Sequence, residues 1–293
     1  MPEATAEQRT AVEPAGRQAF GSRLAAAMAA RGPLCVGIDP HPGLLADWGL
    51  NDDVAGLERF SLTVVEAVAS LAAAVKPQVA LYERHGSAGM AVLERTLAAA
   101  SDAGVLSIAD AKRGDIGSTM AAYADAWLRD GSALAADSVT LSPYLGFESL
   151  RPALELAAEY GRGVFVLALT SNPEGKSVQH VGGSESVAKR IVEAAAAENG
   201  RYDGALGSVG LVVGATIGSA LADLGLDLNA VNGPLLAPGL GAQGATAADL
   251  RSTFGAAYPA VLATSSRGIL AAGPGVAGLR AATEETRDGL LAS

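Results

Sequence analysis

The chain alternates between two kinds of segment, and the alternation restricts it to an α/β fold built on a parallel sheet. Short apolar, β-rich runs occupy residues 34–39 (LCVGID), 74–81 (AVKPQVAL), 105–109 (VLSIA), 138–142 (SVTLS), 163–170 (GVFVLALT), 210–215 (GLVVGA), 235–239 (LLAPG) and 260–265 (AVLATS). Most are continuously apolar, as strands covered on both faces must be. Between them the helical period shows. Leu57, Phe60, Val64, Val68 and Leu71 recur at steps of three and four, and residues 88–103 and 187–198 behave alike. A doubly wound open sheet carries the same periodicity. Eight strands with intervening helices in 293 residues fit a single (β/α)8 TIM barrel. No Pro/Ser-rich linker divides the chain, so the reading is a flexible N-terminal tail at residues 1–16 and one barrel domain at 17–293.

Composition narrows the partners. The formal net charge is −10, with 31 acidic against 21 basic residues, which argues against a general nucleic-acid or anionic-membrane binder. A local basic cluster for a small phosphorylated ligand remains compatible with it. With 49% hydrophobic and 18% charged residues, the chain can bury a large core. Cys35 is the single cysteine, which rules out an intramolecular disulfide and predicts a buried thiol. Residues 1–15 carry Glu3, Glu7, Arg9 and Glu13 and lack the apolar core of a signal peptide, so the expected location is cytoplasmic. The uncharged stretch 205–222 is broken by Gly207, Gly210, Gly214 and Gly218 and reads as a strand and a turn rather than a membrane span.

The densest polar segment, residues 110–119 (DAKRGDIGST), leaves the third strand. Asp110 and Lys112 are two apart, so a regular strand would send both side chains to the same side. At the C-terminal end of a barrel strand that side is the mouth, where active sites of this fold sit. Gly114 and Gly117 flank Asp115, and a helix is expected to open near Ser118. Lys76 holds an equivalent place in the second strand, and a lysine inside an apolar strand is costly unless paired. An alternating array of Lys76, Asp110, Lys112 and Asp115 would solve that problem and make a reactive site; a solvated charged loop is the alternative. A second cluster joins the glycine-rich 237–244 (APGLGAQG), after the seventh strand, to 265–268 (SSRG), after the eighth. Freed backbone N–H groups and an arginine suit a phosphate. Asp39, Ser142 and Thr170 are further polar strand ends. His41, His85 and His180 lack ligand spacing, so no metal site is expected, and Trp48 and Trp127 read as packing residues.

The segment DAKRGDIG, together with GIDP, VKPQ, LSPYLG, SNPEG, VVGAT and PGLGAQG, resembles the orotidine 5′-phosphate decarboxylase family, and more narrowly its longer bacterial subgroup typified by mycobacterial enzymes. The resemblance runs from Asp39 to Arg267. It implies a (β/α)8 barrel, cofactor-free and metal-free conversion of orotidine 5′-phosphate to UMP and CO2, and a homodimer with shared active sites. Carried over by position, Asp39 and Lys76 would bind the ribose hydroxyls, Asp110 would face the substrate carboxylate, and Lys112 would be the proton donor. Asp115, Ile116 and Thr119 would reach the partner subunit's site. Ser142 would meet the pyrimidine, and Gln243 and Arg267 would hold the phosphate beside the Ser266 backbone. Two other functions share part of this pattern: Mg²⁺-dependent sugar-phosphate lyases with the same D-x-K-x-x-D core, and a non-catalytic UMP-binding barrel.

Overall fold

Each of the eight runs holds a strand, although the last residues of the second, Ala80 and Leu81, open the short helix Ala80–Glu83, and each strand pairs in parallel with its neighbours until the last closes onto the first. They are β1 (Leu34–Ile38), β2 (Ala74–Pro77), β3 (Leu106–Arg113), β4 (Ser138–Leu141), β5 (Gly163–Leu169), β6 (Val209–Val213), β7 (Leu235–Pro238) and β8 (Val261–Ser265). The structure, a computed structural model, describes residues 16–202, 204, 206–241 and 244–292. The closed order β1 to β8 decides between the two architectures in favour of the (β/α)8 barrel. Of the expected tail, residues 1–15 lie outside the described residues.

The helices follow the apolar period. Val54–Val68 buries Leu57, Phe60, Val64 and Val68, and Asp53 caps it by accepting the Gly56 N–H at 2.8 Å. Leu71 is buried too, but it lies past the end of that helix. Gly86–Asp102 and Val187–Asn199 occupy the other two expected segments. Segment 172–186, which follows β5, holds two 3-10 turns and the short helix Lys176–Gln179. Trp48 packs on Phe60 with ring centroids 4.2 Å apart and donates its indole N–H to the Leu270 carbonyl, so it is a core residue as expected. Among the described residues, no helix is long and apolar enough to cross a membrane.

Two cores result. The larger lies between the strands and the outer helices. The smaller fills the barrel itself, where Cys35, Ala74, Ile108, Phe165, Val212, Leu236 and Leu262 pack together. Phe20 and Leu24, from the helix Phe20–Arg31 that precedes β1, join this inner core. Phe20 meets Phe165 edge-on at 6.0 Å. Burying a side chain of this size contributes about 1.5–3 kcal/mol. The floor of the barrel interior is therefore apolar.

Candidate active site

Successive inward-facing residues change character along each strand. Reading upward in steps of two, β1 runs from Cys35 through Gly37 to Asp39, and β2 from Ala74 through Lys76 to Gln78. Likewise β3 passes from Ile108 to Asp110, and β8 from Leu262 through Thr264 to Ser266. The lower members belong to the inner core, and the upper members line a cavity of about 860 Å³ at the mouth. Strand alternation thus lifts a ring of polar groups onto an apolar floor.

Asp110 is the hub of that ring. Its Oδ2 accepts from Lys76 Nζ at 2.9 Å and from Gln78 Nε2 at 3.1 Å. Its Oδ1 accepts from Lys112 Nζ at 2.7 Å and from Thr140 Oγ1 at 2.9 Å. Four donors saturate the carboxylate. Lys76 and Asp110 are buried, whereas Lys112 is 46% exposed and opens to the cavity. Burial alone would push the Asp110 carboxyl up, but Lys76 and then Lys112 overcome it and hold the group well below the usual carboxylate range. Burial would likewise lower the Lys76 ammonium, yet Asp110 and Asp39 together hold it above its ordinary value. Lys76 and Asp110 are therefore both ionised throughout the neutral range. Burial pushes the nearby Cys35 thiol up to about 12, leaving it inert.

Lys112 and Asp110 meet for a different reason from the one alternation suggests. Lys112 has φ of 48°, in the left-handed region that β-strands do not use, and the pairing of β3 with β4 slips between Ala109 and Arg113. The strand kinks there, and the kink turns the lysine back onto Asp110. The Lys112 N–H loses its regular strand partner and instead donates to Thr140 Oγ1 at 2.9 Å. Backbone in this region costs on the order of 1–3 kcal/mol for a non-glycine residue and persists only where the surroundings impose it.

The remaining expected residues divide into those brought to the cavity and those left away from it. Asp39 Oδ2 accepts from Ser266 Oγ at 2.6 Å, while Asp39 Oδ1 is buried with no partner among the described residues. A Cβ on Gly37 would stand 2.8 Å from Ser266 Cβ, so the close approach of β1 and β8 beneath this pair requires glycine. Arg267 lines the cavity, exposed, beside Gly239 and Leu240 of the glycine-rich loop. Gln243 lies outside the described residues. Ser142 is not on the cavity wall; its N–H donates to the Arg113 carbonyl at 2.7 Å, behind the kink. Asp115 stays apart from the Lys76–Asp110–Lys112 trio within the chain and accepts the N–H of Ile116 at 2.8 Å. Ile116 and Thr119 are exposed, and Ile116 joins Tyr144 and Leu145 among the exposed apolar side chains near the β3 and β4 ends.

Four wall or network residues carried no role in the sequence. Gln78 had a findable signal, since it stands two beyond Lys76 and alternation places it on the same face. Thr140 reads as an ordinary β-former. Ser171 and Asn172 line the cavity from the end of β5, and within SNPEG they look like turn residues. Among the described residues, no three His, Cys, Asp or Glu side chains are grouped to hold a metal ion.

The model of the orotidine 5′-phosphate decarboxylase / HUMPS family matches residues 32–282. Orotidine 5′-phosphate decarboxylase of Salinispora arenicola is 61% identical over 269 residues, covering 91% of this chain and 95% of that protein. The protein of the same name from Streptomyces coelicolor is 59% identical over 268 residues, covering 90% and 94%. A solved structure from Streptomyces avermitilis, assigned as an orotidine 5′-phosphate decarboxylase, superposes with a TM-score of 0.91 at 58% identity, covering 95% of this chain and 96% of that one.

Proposed function

The chain belongs to the orotidine 5′-phosphate decarboxylase / HUMPS family, and we propose that the Lys76–Asp110–Lys112 network is the machinery with which it converts orotidine 5′-phosphate to UMP and CO2. That conversion is the decarboxylation step of UMP biosynthesis. The observation that carries the mechanistic reading is a carboxylate held by four donors at the base of a nucleotide-sized cavity, with one ammonium exposed to that cavity.

The chemistry requires such an ammonium. When the C6–carboxylate bond breaks, its electron pair stays on C6 in the plane of the ring, where the π-system cannot accept it. Lys112 supplies a fixed positive charge for that pair and then gives C6 the proton that completes UMP. CO2 leaves, and water reprotonates the neutral amine. Asp110 keeps Lys112 aimed, and it stays anionic because its donors hold it so. Its negative charge, placed beside the substrate carboxylate, disfavours the bound ground state, and that repulsion is relieved when CO2 departs.

Binding is assigned to the rest of the ring. The unpartnered Oδ1 of Asp39 and the ammonium of Lys76 suit ribose hydroxyls, one as acceptor and the other as donor. Arg267, with no ion pair to a described residue, suits the phosphate, joined by the Ser266 backbone and by Gln243. Ser142 is carried to the pyrimidine only by the family resemblance, and Ser171 on the cavity wall is better placed for that contact. Asp115, Ile116 and Thr119 are assigned to a second subunit's site in a homodimer, which would cover the exposed Ile116, Tyr144 and Leu145. The decisive experiment follows the absorbance of orotidine 5′-phosphate with purified protein in EDTA. Turnover supports the reading, and metal-dependent turnover or none overturns it.

A further inference from the structure

Segment 172–186 is tied to the end of β5 by one side chain. Gln179, half-buried in the short helix Lys176–Gln179, accepts the Thr170 N–H through Oε1 at 2.9 Å. Its Nε2 donates to Thr170 Oγ1 at 2.7 Å. The Thr170 hydroxyl in turn donates to Asn172 Oδ1 at 2.6 Å, and Asn172 Nδ2 donates to Glu174 Oε2 at 3.0 Å. The polarity of this chain is fixed from its first link. A backbone N–H can only donate, so the Gln179 oxygen must face it and the amide nitrogen must face the hydroxyl. The hydroxyl, having accepted, gives its proton to the Asn172 oxygen, and the Asn172 nitrogen is left as donor. Gly175 is buried beneath the clamp. A Cβ there would stand 2.9 Å from Thr170 Oγ1 and 3.1 Å from Gln179 Oε1, so this position leaves room for the amide.

Thr170, Ser171 and Asn172 line the cavity; Gln179 does not. We propose that Gln179 is a positioning residue for nucleotide binding: through Thr170 it fixes the Asn172 carboxamide with its oxygen occupied, so that Asn172 offers the cavity an N–H donor rather than a carbonyl. The matching group on the ligand is an acceptor, a ring carbonyl or a phosphate oxygen. The inference rests on the nucleotide reading given above and adds to it which end of Asn172 the ligand meets and what sets that orientation.

The test compares wild-type protein with Gln179→Met, which keeps size without hydrogen bonds, and Gln179→Glu, which can accept but cannot donate. In Gln179→Glu the Thr170 hydroxyl turns to donate to the new carboxylate, and Asn172 Oδ1 loses its donor, leaving the amide held only by its bond to Glu174. Both variants should raise KM for orotidine 5′-phosphate and weaken UMP binding, measured by calorimetry, by about tenfold, while kcat stays within about threefold. A wild-type KM in Gln179→Glu would show that polarity is irrelevant and overturn the proposal. A fall in melting temperature with KM unchanged, or a fall in kcat alone, would overturn it equally. The UMP measurement separates this inference from the catalytic reading. A wild type that binds UMP without turnover refutes the decarboxylation mechanism alone, and equal UMP affinity in all three proteins refutes the positioning role alone.

Discussion

The Thr140 hydroxyl holds the backbone of Lys112 in its left-handed turn, accepting the Lys112 N–H at 2.9 Å while donating its own O–H to Asp110 Oδ1. One hydroxyl on β4 therefore fixes both members of the pair at the centre of the site. Thr140→Val keeps the shape of the side chain and removes both bonds. It should cost about 1–3 kcal/mol of stability, because the buried Asp110 carboxylate loses a donor and a partly buried N–H is left unpaired. It should also lower kcat by about 10- to 100-fold, because Lys112 is no longer held at its angle. Thr140→Ser, which retains the hydroxyl, should recover most of both. Denaturant melts and steady-state kinetics on the two variants check this. Equal losses in both would tie Thr140 to packing instead.

Lys112 carries the heaviest burden. Lys112→Ala removes the cation that meets the developing carbanion and the proton that quenches it. The two effects together should lower kcat by about 10⁴-fold or more. UMP binding should remain measurable, since the lysine's work is concentrated in the transition state. Single-turnover assays with product-binding controls read both quantities. Turnover within about tenfold of wild type would remove Lys112 from the mechanism.

How much of this was legible beforehand depended on whether the signal was local. The eight strands were, because each is an apolar run bounded by helical period. Lys76, Asp110 and Asp39 were also legible, because an ionisable residue at the upper end of an apolar strand has one sensible destination. The kink at Lys112 was not: lysine has no preference for positive φ, and the force that imposes it comes from Thr140, 28 residues on. Ser142 was assigned to the pyrimidine by the family resemblance, and its N–H meets the Arg113 carbonyl where the β3–β4 pairing slips. Gln179 lies nine residues from the threonine it holds, within a segment that reads as loop. Asp115 stays apart from the network within the chain, and its proposed destination is a second chain's site.

The buried pair gives the protein a defined response to pH. Asp110 is held low when folded, so its contribution to stability is present above its unfolded value of about 4 and is lost as pH falls further. Lys76 is held high, so its contribution is present below its unfolded value of about 10.4 and is lost as pH rises beyond it. Between those limits the pair should add no slope. Asp110→Asn changes the sign. With its main anion gone, burial dominates Lys76 and lowers its folded value, so the unfolded chain binds more protons. Stability should then rise with pH between about 7 and 10, from a starting point about 3–5 kcal/mol below wild type. Urea melts at several pH values measure the slope. Parallel pH curves for the two proteins would show that Lys76 does not depend on Asp110 for its charge.

Arg267 lines the cavity with no ion pair to a described residue, as a side chain reserved for an external anion would. Arg267→Ala should raise KM for orotidine 5′-phosphate by about 10- to 100-fold, the worth of a charged hydrogen bond. Residual turnover of orotidine, which has no phosphate to lose, should hardly change. Equal losses on both substrates would give Arg267 a structural role.

The last expectation concerns Asp115. Its carboxylate accepts the N–H of Ile116 and does not reach Lys112 of its own chain. Ile116 beside it is 62% exposed and Tyr144 79% exposed, an apolar edge next to the mouth of the kind that subunit contacts cover. In a two-fold dimer each Asp115 can cross to the other chain's Lys112, so that each subunit completes its neighbour's site. Asp115→Ala and Lys112→Ala should each be inactive alone. After subunit exchange, a mixed dimer holds one site with both defects and one site with neither. Activity should therefore return to at most about half of wild type per mixed dimer. A mixture that stays inactive despite demonstrated exchange, or an active monomer, would place Asp115 in the service of its own subunit and dismantle the shared site.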